Sequence, residues 1–106
     1  MPSYRVAIGV LDVRAGVDPP DLLPRAEELL ARHHLVEDRS VEVVGGRAEL
    51  HLRFLVPTGD DRAQDDAAEA AVRSVVDQLG ELADLSTWSL RRGPGRRWRT
   101  VRTGRA

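Results

Sequence analysis

Between Ser3 and Val13 apolar and less apolar positions alternate. Tyr4, Val6, Ile8 and Val10 take one parity, and Arg5, Ala7, Gly9 and Leu11 take the other. That period belongs to a strand with one core face and one half-open face. Gly9 removes side-chain bulk at mid-strand, which marks a bulge or a close approach. Arg14 to Pro20 reads as a turn leading into a helix, with Asp18 or Asp21 as its cap. Leu22, Leu23, Ala26, Leu29, Leu30 and His33 then recur at helical spacing, and Arg25, Glu28 and Arg32 are left for solvent.

Alternation returns over 39–44 and 47–56. Gly45-Gly46 separates the two runs, and a two-residue primed turn needs the positive φ that glycine permits. Val41 and Val43 are the inward residues expected of the first arm, and Leu50, Leu52, Phe54 and Val56 those of the second. Glu49, His51 and Arg53 fall on the opposite face. The longest helix is expected over 62–84, with Ala68, Ala71, Val72, Val75, Val76, Leu79 and Leu82 buried. Asp60, Asp61, Asp65 and Asp66 gather at its start, where turn formation and the helix dipole account for them. A last hairpin is expected from 86–92 and 96–102 across Gly93-Pro94-Gly95. Setting Arg92 opposite Arg96 puts Leu90 opposite Trp98, with Trp88 diagonal to Trp98 on one face and Arg91, Arg97 and Arg99 on the other.

The order β-α-β-β-α-β with right-handed crossovers predicts a ferredoxin-like split β-α-β sandwich, an α+β fold. Both helices lie on one face of an antiparallel sheet, and an extra C-terminal strand follows. The other sheet face is left uncovered. Its expected residues mix Ala7, Gly9, Leu11, Val44 and Leu55 with Arg5, Glu42, His51 and Arg53. A surface of that mixture suits a second subunit or a ligand better than bare water, so homo-oligomerisation through the sheet face or the extra strand is expected.

Composition sharpens this picture. The chain has 106 residues, enough for one modest core, and 31% of them are charged. It is read as a single domain over 1–106, with 91–106 an arginine-rich hairpin arm or tail. Cysteine, lysine and asparagine are absent. Disulfides, thiolate metal sites, cysteine nucleophiles and lysine Schiff bases are thereby excluded. No apolar run reaches membrane-spanning length, and Arg5, Asp12 and Arg14 interrupt any signal-like stretch. A cytoplasmic location is expected. Residues 1–90 hold nine Arg against all 17 acidic residues, whereas 91–106 hold seven Arg and no acid. An acidic body therefore carries a basic end.

Candidate chemistry is sparse. His33 and His34 are adjacent on a helix and diverge, and no spacing suits a metal ion; neither metal nor cofactor is expected. Arg14, Gly16 and the first helix N-terminus read as a plain turn, without a phosphate-binding glycine pattern. The best polar group is His51 with Glu49 and Arg53 on one strand face, joined by Arg5 from another central strand and by Glu42 from the neighbouring arm. A proton-exchanging imidazole beside anion-binding guanidinium forks over a partly apolar floor suits a small carboxylate-bearing ligand. Nucleic acid is disfavoured, because the open face carries no aromatic residue and the body is acidic. Only Arg91, Arg96, Arg97, Arg99 and Arg102 favour it.

Two resemblances follow from these features. A chain opening Met-Pro, then strand, Arg14 in a loop and helix, resembles the tautomerase superfamily. That likeness implies Pro2 as an N-terminal catalytic base and Arg14 as a carboxylate-binding group. The sheet order is similar to that of dimeric α+β barrel proteins, which pair their open faces around a pocket. The reading that emerges is a small oligomeric binding or assembly module using its open sheet face. The alternatives are a small-molecule enzyme of dimeric α+β barrel or tautomerase-like type, and non-specific nucleic-acid binding through the C-terminal arginines.

Overall fold

The computed structural model describes residues 2–57, 59–93 and 98–106. Strand β1 (Ser3–Val13) leads through a short 3-10 turn, Pro19–Asp21, into helix α1 (Leu22–Ala31). Strands β2 (Leu35–Val44) and β3 (Arg47–Leu55) form a hairpin. Helix α2 (Asp61–Leu79), strand β4 (Ala83–Gly93) and strand β5 (Arg99–Arg105) complete the chain. The sheet order is β2-β3-β1-β4-β5, and every neighbouring pair is antiparallel. This is the ferredoxin-like split β-α-β arrangement with a fifth strand added beside β4.

One parity of the central strands makes the core. Tyr4, Val6, Ile8, Leu50, Leu52, Phe54, Trp88 and Leu90 are buried with Leu29 and Leu30 of α1 and Val72, Val75 and Leu79 of α2. The φ angles of 60° and 80° at Gly45 and Gly46 bear out the primed turn. At Gly9 the β1–β4 register slips between Ile8 and Val10, and a side chain there would run into the Ser86 hydroxyl. The glycine thus serves both as bulge and as close approach. Asp60 caps α2, its carboxylate accepting from Ala63 N at 2.8 Å. Neither Asp18 nor Asp21 makes a side-chain cap bond at the start of α1.

Several expectations are corrected. Helix α2 stops at Leu79, and β4 begins at Ala83. Leu82 fits the helical period, but the helix ends at Leu79 and a tight turn, with Glu81 N bonded to the Gln78 carbonyl and Leu82 N to the Leu79 carbonyl, carries the chain back to the sheet. Val41 and Val43 point to the helix side, yet they are 51% and 74% exposed, because β2 is the sheet edge. His33 is exposed, since α1 ends at Ala31; His34 turns inward instead and stacks on Phe54 at 5.7 Å. The last hairpin pairs Arg92 with Arg99, not with Arg96. Strand registers that differ by an odd number of residues exchange faces. Trp88 accordingly lies in the core on the helix side, while Trp98 lies over the open face beside Arg5 and Arg53.

Candidate functional site

The antiparallel registers arrange the open face in rows across the strands. In one row Asp38, Arg53, Arg5, Arg91 and Thr100 stand opposite one another in turn. Three arginines thus occupy consecutive positions on the three central strands. The next row runs Ser40, His51, Ala7, Ser89 and Thr103. Beyond it Glu42 faces Glu49, which faces Gly9. The small side chains of Ala7 and Gly9 leave a depression of about 430 Å³ between these rows. Arg5, Arg91, His51, Glu42, Glu49 and Thr103 are among the residues that line it.

Like charges directly opposed across strands repel, and each end of the site answers this differently. Glu42 and Glu49 are bridged by His51, whose Nε2 lies 3.4 Å from Glu42 and 3.0 Å from Glu49. Arg53 has Glu37, displaced onto this face by a bulge in β2, with Nε to carboxylate at 3.4 Å. Ser3 ties that pair together, donating to Glu37 at 2.9 Å and accepting from Arg53 at 3.3 Å. Arg53 Nε nonetheless makes no aligned hydrogen bond and is the one buried side-chain polar atom without a partner among the described residues. The Trp98 ring lies 5.0 Å from the Arg5 guanidinium carbon and 5.4 Å from that of Arg53. Such cation–π contacts offset part of the repulsion. Among the described residues Arg5 and Arg91 have no ion pair and donate no side-chain hydrogen bond.

The four residues expected at the site, Arg5, Glu49, His51 and Arg53, therefore do share one face. Glu42 joins them through His51. Arg91, which the sequence offers as a nucleic-acid contact, belongs to this face too, and so does Trp98, expected beside Trp88. The outward parity of Arg91 was readable from the sequence; its alignment with Arg5 was not, because that depends on the register of two strands far apart in the chain.

The other C-terminal arginines are taken up by α2. Arg92 donates to Tyr4 Oη at 2.6 Å, Asp65 at 3.1 Å, Asp61 at 3.0 Å and Gln64 at 2.8 Å. Arg99 reaches Asp65 at 3.2 Å and Arg102 reaches Glu69 at 2.7 Å. The acidic start of α2 thus does more than complement the helix dipole: it clamps β4 and β5. Burial alone would raise the Asp65 carboxyl, but hydrogen bonds from Tyr4, Arg99 and Arg92 hold it below the usual carboxylate range. Hydrogen bonds from Arg73 and Arg102 hold Glu69 low as well. Burial, and then the Asp65 carboxylate, push the Tyr4 phenol well above its ordinary value. Arg96 and Arg97 lie outside the described residues.

Arg14 is likewise engaged. Its guanidinium donates to the Gly80 carbonyl at 3.0 and 2.8 Å and pairs with Asp84 at 3.3 Å. It thereby satisfies a helix C-terminus rather than presenting an anion site. Pro2 precedes β1 and Arg14 follows it, so the strand separates them by roughly 40 Å at its usual rise. A single chain therefore does not bring the two to one small substrate. Among the described residues no group of three or more His, Asp or Glu is placed to hold a metal ion. No helix among them is long and apolar enough to cross a membrane. Comparison with protein-family models, with curated proteins and with solved structures gives no match to this chain.

Proposed function

We propose that the chain is a binding module of a small oligomer, and that its open sheet face receives a carboxylate-bearing small molecule. The observation that carries this reading is the arginine row. Arg5 and Arg91 stand opposed at the rim of a 430 Å³ depression, with no carboxylate partner among the described residues. A row of like charges on the central strands costs stability. An anion bridging the two guanidinium forks would relieve that cost with charge-assisted hydrogen bonds. His51 and the hydroxyls of Thr87, Ser89 and Thr103 supply polar contacts further along the floor, while Glu42 and Glu49 at the far end favour a donor group on the same ligand. Binding is favoured over catalysis because the one imidazole on this face is held between two carboxylates.

Calorimetric titration with acetate, succinate, citrate and inorganic phosphate tests the reading. Saturable binding of a carboxylate is expected, weakened at least about tenfold by Arg5→Ala and by Arg91→Ala, since each removes one charge-assisted contact of roughly 1.5–3 kcal/mol. Absence of saturable binding at millimolar concentrations, or binding indifferent to both substitutions, would overturn it.

A further inference from the structure

The β2 edge carries a separate message. It is ten residues long, lies at the end of the sheet and contains no proline, and its bulge falls near one end, between Val36 and Asp38. Leu35, Val41, Val43 and Val44 are at least half exposed along it. Beside Val41 an apolar groove of about 440 Å³ runs between the strand and the start of α1, lined by Pro19, Pro20, Leu23, Pro24 and Leu50.

We propose that β2 pairs antiparallel with β2 of a second copy, about a two-fold axis at Val41, to give one continuous ten-stranded sheet. The inference rests on the oligomeric part of the proposed function and adds the surface and register; it does not depend on the ligand. Three features select this occupant and this register.

The first is regularity. The bulge lies between Val36 and Asp38 and the hairpin turn begins at Gly45, so the regular part of β2 is 38–44. Its midpoint is Val41, and a two-fold there pairs all seven residues.

The second is charge. A two-fold normal to the sheet keeps the faces matched, so residues of equal parity meet. Centring on Arg39 sets Arg39 against itself. Centring on Ser40 sets Asp38 against Glu42 of the second copy, and centring on Glu42 sets Glu42 against itself. Centring on Val41 opposes Ser40 with Glu42, Arg39 with Val43 and Asp38 with Val44, and no like charges meet.

The third is closure. β2 and β5 run in the same direction, because four antiparallel steps separate them. A translated copy docking β5 on β2 would pair in parallel, with less stability per residue, and would leave an open chain of subunits. The β2 two-fold is antiparallel and closed. It covers Val41 and Val43, brings the two apolar grooves to one seam and puts both open-face sites on the same side.

Charge substitution and cross-linking test this. Sedimentation of the native chain at about 100 μM is expected to give twice the 11.7 kDa chain mass. Val43→Lys, placed opposite Arg39 of the second copy, should weaken the dimer at least about tenfold, whereas Val43→Glu should retain or strengthen it. Because the chain has no cysteine, Val41→Cys should form an intermolecular disulfide on mild oxidation, with Ser40→Cys and Glu42→Cys far less reactive. A monomer would overturn both the seam and the oligomeric reading. A dimer indifferent to both Val43 substitutions would overturn the seam alone, and the carboxylate titration would still stand. Open-ended polymers, or cross-linking at Ser40→Cys or Glu42→Cys instead of Val41→Cys, would also overturn it.

Discussion

Arg5 stands directly opposite Arg91 across β1 and β4, and no described carboxylate pairs with either. In the absence of a ligand such an arrangement is a cost, of the order of 0.2–1 kcal/mol for a like-charged cross-strand pair. Arg91→Ala is therefore expected to raise the unfolding free energy slightly while weakening carboxylate binding at least about tenfold. Chemical denaturation of the variant beside the native chain checks it. A loss of more than about 1 kcal/mol would mean that Arg91 has a stabilising role that the row hides.

The Tyr4 hydroxyl has the opposite character. It is fully buried, donates to Asp65 at 2.7 Å and accepts from Arg92 at 2.6 Å. Tyr4→Phe leaves the ring stacked on Phe54 but strips a polar link from two ionised groups. A destabilisation of roughly 1.5–3 kcal/mol is expected from the range for hydrogen bonds to charged partners. An unchanged denaturation midpoint would show that Arg92 and Asp65 re-form the link by themselves.

The two tryptophans should separate cleanly. Trp88 is buried, lies across Gly104 and has Arg73 over its ring at 5.4 Å. Trp88→Ala should cost about 3–5 kcal/mol. Trp98 is half-buried on the open face, where its contacts are mainly the two arginines, and Trp98→Ala should cost clearly less, about 1–2 kcal/mol from two cation–π contacts. Equal losses would be the wrong result for this placement.

Nucleic-acid affinity is expected to be weak. Arg92, Arg99 and Arg102 are paired with α2 carboxylates, so these three are not free to displace counterions. Titration of labelled single- and double-stranded oligonucleotides should show binding only at low salt. Binding that persists at physiological salt would mean that α2 releases these arginines to phosphate.

Legibility from sequence followed the range of the interaction. The β1 alternation, the Gly45-Gly46 turn and the core parity of β3 are local patterns, and each is borne out. The end of α2 was not legible, because Leu82 satisfies the helical period although the helix ends at Leu79. Val41 and Val43 alternate like core residues, but alternation says which face a residue takes, not whether a helix covers that part of the face. The site was legible in its members and not in its order. Arg5, His51 and Arg53 share a parity, but the three-arginine row depends on two long-range registers, β1 with β3 and β1 with β4. Trp98 changed face because the last hairpin is longer than Gly93-Pro94-Gly95 suggested. The role of Asp65 was masked by a sufficient local explanation, the helix dipole, which left its long-range partners unseen.

Acid should destabilise the protein over two separate pH ranges. Burial holds His34 below the ordinary histidine range. The folded chain therefore binds fewer protons there than the unfolded chain does, and the stability His34 contributes is complete above about pH 6.5 and declines as pH falls. Asp65 and Glu69 are also depressed, so their contribution is complete above about pH 4 and is lost below it. Melting temperature is thus expected to be flat above about pH 7, to fall gently below pH 6.5 and to fall steeply below pH 4. His34→Gln should remove the upper slope and leave the lower one. Asp65→Asn should lower stability at neutral pH, because Arg92 and Arg99 lose their shared counter-charge, and should flatten the acid limb. Thermal melts of the three proteins from pH 3 to pH 8 measure all of this. Identical native melting temperatures at pH 5 and pH 8 would rule out the His34 contribution, and an unchanged acid limb in Asp65→Asn would rule out that of the Tyr4–Asp65–Arg92 clamp.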